Sequence, residues 1–151
     1  MEYLQLLENN LTWGNKKCEG VSVSDIDALE VKVDKTFPKA YREFLELAGE
    51  YFPYLHAGDA SFSLLEEIQE WLKEETLEYK QNLEKECWAF QVYDAEQFYL
   101  FYLDEGDNPA VYYYCPYLID YPGGVTIEKR YDTFSDWVNK NIELTRGISA
   151  A

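Results

Sequence analysis

Residues 87–115 read CWAFQVYDAEQFYLFYLDEGDNPAVYYYC, and this stretch decides the fold. Trp88–Tyr93, Gln97–Leu103 and Val111–Cys115 are rich in aromatic and β-branched residues, the types that favour strands. Asp94-Ala95-Glu96 has the length of a hairpin connection, and Asp104-Glu105-Gly106-Asp107-Asn108-Pro109 is a strong turn signal. Connections this short join antiparallel neighbours, because a parallel crossover needs about a dozen residues. The stretch therefore predicts an antiparallel meander. Beyond a loop marked by Pro116 and Pro122-Gly123-Gly124, Val125–Arg130 is expected to add a last strand.

Helical spacing dominates on either side. Leu4, Leu7 and Leu11 fall on one helical face, and Gly14 and Gly20 bracket a polar connection. Ser24 is placed to cap a helix whose buried stripe is Ile26, Leu29 and Val33. Phe37-Pro38 breaks that helix and opens the next, which repeats Tyr41, Phe44, Leu45 and Ala48 and stops at Gly49. Ser61–Leu64 reads as a short strand, and Leu65–Lys85 as a long acidic helix with eight glutamates between positions 66 and 86. After the meander, Asp132 is placed to cap a closing helix with Phe134, Trp137, Val138 and Ile142 as its apolar face, and a tail begins at Thr145. The fold class is α+β: N-terminal helices, a long acidic helix before a central antiparallel β-meander, and a C-terminal closing helix, in one domain spanning 1–151.

Composition narrows the function classes. Of 151 residues, 47% are hydrophobic and 17% aromatic, which excludes a disordered chain. Thirteen Lys and Arg face 29 Asp and Glu, a formal charge of −16. Such a surface repels nucleic acid and anionic lipid and attracts basic partners. No apolar run approaches the roughly 20 residues of a bilayer span, and no signal-peptide pattern opens the chain. With three scattered cysteines (Cys18, Cys87, Cys115) and no CxxC, reduced thiols and a cytoplasmic location are expected.

Signals for chemistry are weak. His56 is the only histidine and has no nucleophile motif beside it. One His and three dispersed Cys match no zinc spacing. Gly106 comes too early for Asp104, Glu105 and Asp107 to form a calcium loop. No glycine-rich phosphate loop occurs, so no catalytic residue, metal or cofactor is assigned. Carboxylate pairs are too abundant to single one out.

The informative feature is a gap in the basic residues. No Lys or Arg occurs between Lys85 and Lys129, while the interval carries eight acids and eight of the 14 tyrosines. In Gln97–Leu103 and Ala110–Cys115 both alternating sets are apolar or aromatic, so both sheet faces carry rings. If helices cover one face, the other presents tyrosines rimmed by carboxylates; the competing arrangement has both faces covered, one of them by the long 65–85 helix. Tyrosine combines large contact area with a polar tip and is common at interfaces. Glu96, Asp104, Glu105, Asp107, Tyr113, Tyr117, Asp120 and Tyr121 are the expected partner-binding residues.

Four segments together resemble a known family: Ile26-Asp27-Ala28-Leu29-Glu30; Phe37-Pro38-Lys39-Ala40-Tyr41-Arg42-Glu43-Phe44-Leu45; Trp88 with Phe101-Tyr102-Leu103-Asp104, Gly106 and Val111-Tyr112; and Asp132-Thr133-Phe134-Ser135-Asp136-Trp137-Val138. The pattern, over about 24–142, is similar to the SUKH superfamily, which includes bacterial immunity proteins and a fungal regulator of cell-wall synthesis. Phe37 replaces the usual leucine before proline, Ala40 stands where aspartate is common, and Gly49-Glu50 lacks the usual asparagine-glycine-glycine ending. The resemblance implies binding rather than catalysis. Its bacterial members are thought to dock on a cognate polymorphic toxin and block it. The expected partner is then a basic toxin domain, with a nuclease the natural target because its cleft must be positive. A scaffold without a toxin partner is the alternative, an enzyme using carboxylates a weaker third reading, and a homodimer through the tyrosine face stays open.

Overall fold

The structure, a computed structural model, describes residues 1–147. In chain order it has α1 (Gln5–Glu8), a two-residue strand pair β1 (Thr12–Trp13) and β2 (Lys16–Lys17), then α2 (Val23–Val33) and α3 (Lys39–Ala48). A 3-10 turn (Phe62–Leu64) leads into α4 (Leu65–Glu78). The strands β3 (Cys87–Tyr93), β4 (Gln97–Tyr102) and β5 (Val111–Tyr114) follow, then a 3-10 turn (Pro116–Asp120), β6 (Ile127–Tyr131) and α5 (Phe134–Arg146). The four long strands form an antiparallel meander in the order β3-β4-β5-β6. The α+β class and the meander agree with the sequence. No described helix is long and apolar enough to cross a membrane.

Opposite alternations along the strands meet different helices. Trp88, Phe90 and Phe101 face α3 and α5, where their rings meet Tyr41, Phe134 and Trp137. The other alternation buries Phe98, Leu100 and Tyr114 on the side of α4. There Gln69 of α4 clamps the β3 backbone, donating to Ala89 O at 2.7 Å and accepting from Ala89 N at 3.0 Å. The apolar stripe of α4 is Leu65, Ile68 and Leu72. Helices therefore cover the centre of both faces. Of the two arrangements the sequence leaves, the structure has the covered one: the long helix and the closing helix each bury the middle of one side, so no fully open ring-bearing face is formed.

Charged side chains fix the N-terminal helices. Glu30 of α2 accepts from the Phe37 N–H at 2.6 Å and pairs with Arg42 of α3, which also binds Asp27 at 2.7 Å. Buried Glu43 of α3 accepts from the N–H groups of Tyr3 and Leu4 at 2.9 and 3.2 Å, supplying donors at the start of α1 with a partner. The segment before α4 closes on the sheet. Asp59 and Val92 exchange both backbone bonds at 2.9 Å. Gly58, at φ +75°, sits so close that a Cβ there would lie 2.1 Å from Val92 O. Only glycine fits this approach.

Several boundaries differ from the sequence reading. Ser22, not Ser24, caps α2, accepting from Asp25 N at 3.2 Å. Thr133, not Asp132, caps α5, accepting from Asp136 N at 3.1 Å. Leu11 lies outside α1, which is a single turn before β1. Ser61–Leu64 is not a strand; it has no partner strand, and Asp59 turns it by accepting from Ser61 N at 2.8 Å. The acidic helix ends at Glu78 rather than Lys85. Glu74, Glu75 and Glu78 crowd the negative end of its dipole, and Lys80 turns away at φ 53°. Thr145 and Arg146 are helical, with Gly147 ending α5 at φ 72°. The rest of the expected tail, 148–151, lies outside the described residues.

Glu43→Ala removes the acceptor that ties α3 to the N-terminal turn. Chemical denaturation should show a loss of about 1–3 kcal/mol, and Glu43→Gln, which keeps an oxygen at the same reach, should recover much of it.

Candidate functional site

Strand direction sorts the eight expected binding residues into two groups. The β3–β4 turn, the end of β5 and the 3-10 turn after it lie at one end of the sheet, with Glu96, Tyr113, Tyr117, Asp120 and Tyr121. The β4–β5 connection lies at the other end, with Asp104, Glu105 and Asp107. Six residues of strand hold these ends roughly 20 Å apart. One continuous patch is therefore not formed.

At the second end the acids have local work. Asp104 lies 3.5 Å from Lys85 Nζ. Glu105 accepts from the Tyr112 hydroxyl at 3.1 Å. The Asp107 carbonyl accepts from Ala40 N at 2.9 Å, filling a donor at the start of α3. Asn108 holds the same loop to α5, accepting from Ser135 N at 3.0 Å.

At the first end, Tyr79 from the end of α4 joins Glu96, Tyr117, Asp120 and Tyr121 around a shallow depression of about 450 Å³. The Tyr117 and Tyr121 rings meet edge to face at 6.2 Å. Asp120 and Tyr121 are exposed and Tyr117 is half-buried. Neither Glu96 nor Asp120 has an ion-pair partner among the described residues. The field there is negative. Desolvation raises the Tyr79 phenol, and Glu78, Glu75, Glu96 and Asp120 push it further up. A bond with the Cys115 thiol is the main cause that takes Tyr117 up to about 12. Tyr79, which is not among the binding residues expected from the sequence, stands at the C-terminal end of α4 and lines the depression with the acids. Tyr113 points to the opposite face, where it donates to Gln97 Oε1 and carries the Arg130 guanidinium 4.4 Å above its ring.

Catalytic signals are not assembled further. His56 Nε2 meets Thr145 Oγ1 at 2.9 Å. Among the described residues no group of three or more His, Cys, Asp and Glu is placed to hold a metal ion. All three cysteines are free thiols, and burial pushes Cys18 and Cys87 up to about 11. Burial first, and then Glu78, Glu96 and Glu74, hold the Glu75 carboxyl above its usual range. It does not line the depression, and its Oε2 is buried without a hydrogen-bond partner.

A meander with helices on both faces, entered from paired N-terminal helices and closed by a C-terminal helix, defines a domain of the SUKH class. The chain belongs to the SMI1 / KNR4 family (SUKH-1), whose pattern matches residues 20–140. No curated protein matches the chain.

Burial of Glu75 makes a signed prediction. Its raised pKa means that the folded state disfavours the charged form. Its contribution to stability therefore improves as pH falls through the raised value and is complete below 4.5. Glu75→Gln should raise the thermal midpoint at pH 7, and the advantage over the parent should vanish below pH 4.5. An equal gain at both pH values would contradict the account.

Proposed function

We propose that this protein is a non-catalytic binding domain, an immunity protein that neutralises a cognate toxin by docking on its basic surface. Membership of the SMI1 / KNR4 family (SUKH-1) supports the class. The observation that carries the reading is the depression lined by Tyr79, Glu96, Tyr117, Asp120 and Tyr121, with no basic residue in its lining. Three tyrosines supply rigid contact area and two unpaired carboxylates supply charge, the combination that gives both adhesion and steering. A toxin that handles nucleic acid fits this surface, since its cleft must be positive to hold phosphates. Docking there would exclude the nucleic acid by competition. Asp104, Glu105 and Asp107 belong to this reading only as distant contributors to the field, because they face the other end of the sheet.

The test uses the product of the adjacent gene as partner. Glu96→Gln with Asp120→Asn should slow association several-fold at low salt and flatten its dependence on ionic strength, as expected for steering charges. Asp104→Asn with Glu105→Gln, the same change in net charge, should have a much smaller effect. Equal effects from both pairs would mean that net charge alone matters and that the depression is not the docking site. Failure to bind that product, with recovery of housekeeping proteins only, would favour the scaffold reading.

A further inference from the structure

Between α5 and the α3/α5-facing side of the sheet, at the same end as the acidic depression, runs a groove of about 340 Å³. Tyr93, Tyr99, Tyr113, Trp137, His56 and Gln91 are among the residues that line it. No Asp, Glu, Lys or Arg lines it. We propose that this groove receives an arginine side chain of the basic partner. The proposal rests on the reading that a basic protein docks at this end of the sheet, and it adds the side chain that is gripped.

Gln91 is the first reason. Simple alternation along β3 would send it toward α4. The register instead shifts between Ala89 and Gln91, so that Gln91 pairs with Tyr99 and turns to the α5 side. Its Nε2 donates to Ala57 O at 2.7 Å. A carbonyl only accepts, so the amide cannot be flipped, and Oε1 is directed away from that bond. Gln91 is 6% exposed, and its Oε1 has no partner. A buried acceptor left empty is unfavourable, so a donor brought to it is favoured. Gln91, which lines the groove, therefore keeps an acceptor without a donor.

The walls specify which donor. Tyr99 and Tyr113 rings lie 5.3 Å apart, and ring faces are electronegative. Tyr113 already accepts a guanidinium on one face, that of Arg130, whose charge is shared with Glu128 at 2.5 Å. A net charge of −16 draws cations and repels anions. Among cations, an ammonium is strongly hydrated and gains little in a groove without carboxylates. Guanidinium is planar, weakly hydrated and rich in donors, so it stacks on tyrosine while bonding an amide oxygen. The volume is at the low end of ligand sites, enough for one long side chain.

The experiment is an NMR titration of the full chain with acetyl-Gly-Arg-Gly-amide, and with the same peptide carrying citrulline or lysine. Citrulline keeps the shape but has a carbonyl oxygen in place of one NH2, so it carries three N–H donors instead of five and no charge. The arginine peptide should shift the Gln91 side-chain amide and the Trp137 indole resonances. The citrulline and lysine peptides should bind several-fold more weakly. Gln91→Met should weaken the arginine peptide by about five-fold, and Tyr99→Leu, which leaves the Gln91–Ala57 bond intact, should weaken it as well. Equal binding of citrulline, or no shift in the groove, overturns the proposal. Shifts confined to Tyr79, Tyr117 and Tyr121 overturn it too, while leaving the acidic docking surface standing. Arginine-selective shifts in the groove, with a partner indifferent to Glu96 and Asp120, would keep this inference and discard the acidic surface.

Discussion

The hydrogen bond from the Trp88 indole to the Tyr41 hydroxyl, 3.2 Å at the centre of the molecule, joins α3 to β3 in surroundings that exclude water. Tyr41 is fully buried and touches the rings of Phe37, Phe44, Phe90, Phe101 and Phe134. Such pairs contribute about 0.5–1.5 kcal/mol each beyond the area they bury. Burial drives the Tyr41 phenol far above its ordinary range, so the hydroxyl that accepts from the indole stays neutral. With Tyr41 fixed, α3 and α5 share one side of the sheet, α4 must take the other, and only the sheet's ends remain for recognition.

Much of this order is legible in the chain. The meander follows from aromatic strands separated by short connections, and α3 follows from Pro38 and the spacing of Tyr41, Phe44, Leu45 and Ala48. The cap positions were off by one or two residues, because Ser22 and Ser24, or Asp132 and Thr133, are equally good caps until the backbone picks one. Leu65–Lys85 reads as one helix because apolar residues keep helical spacing through Tyr79 and Leu83, whereas the glutamates gathered at the C-terminal end of α4 disfavour its continuing past Glu78. The strand pair at Thr12–Lys17 gave no signal, since its residues are exposed and polar apart from Trp13.

The binding surface was half legible. Composition located the acids and tyrosines without their placement on the sheet. Glu96, Tyr117, Asp120 and Tyr121 do gather, because a hairpin turn and the segment after β5 must share one end of an antiparallel sheet. For the same topological reason Asp104, Glu105 and Asp107 go to the other. The groove was not legible at all. It depends on a one-residue register shift in β3 that reverses Gln91, and nothing in the run Trp88–Tyr93 marks where that shift falls.

The exchange of backbone bonds between Asp59 and Val92 also governs how copies of this chain can meet. A meander has two rims, and an unsatisfied rim invites a neighbouring chain to add itself. Along β3 that rim is occupied at Val92 by the chain's own segment. Along β6 it carries Glu128, Lys129 and Arg130, whose charges oppose stacking by strand addition. Two backbone bonds of self-pairing and one short charged border thus guard the rims of a highly aromatic sheet.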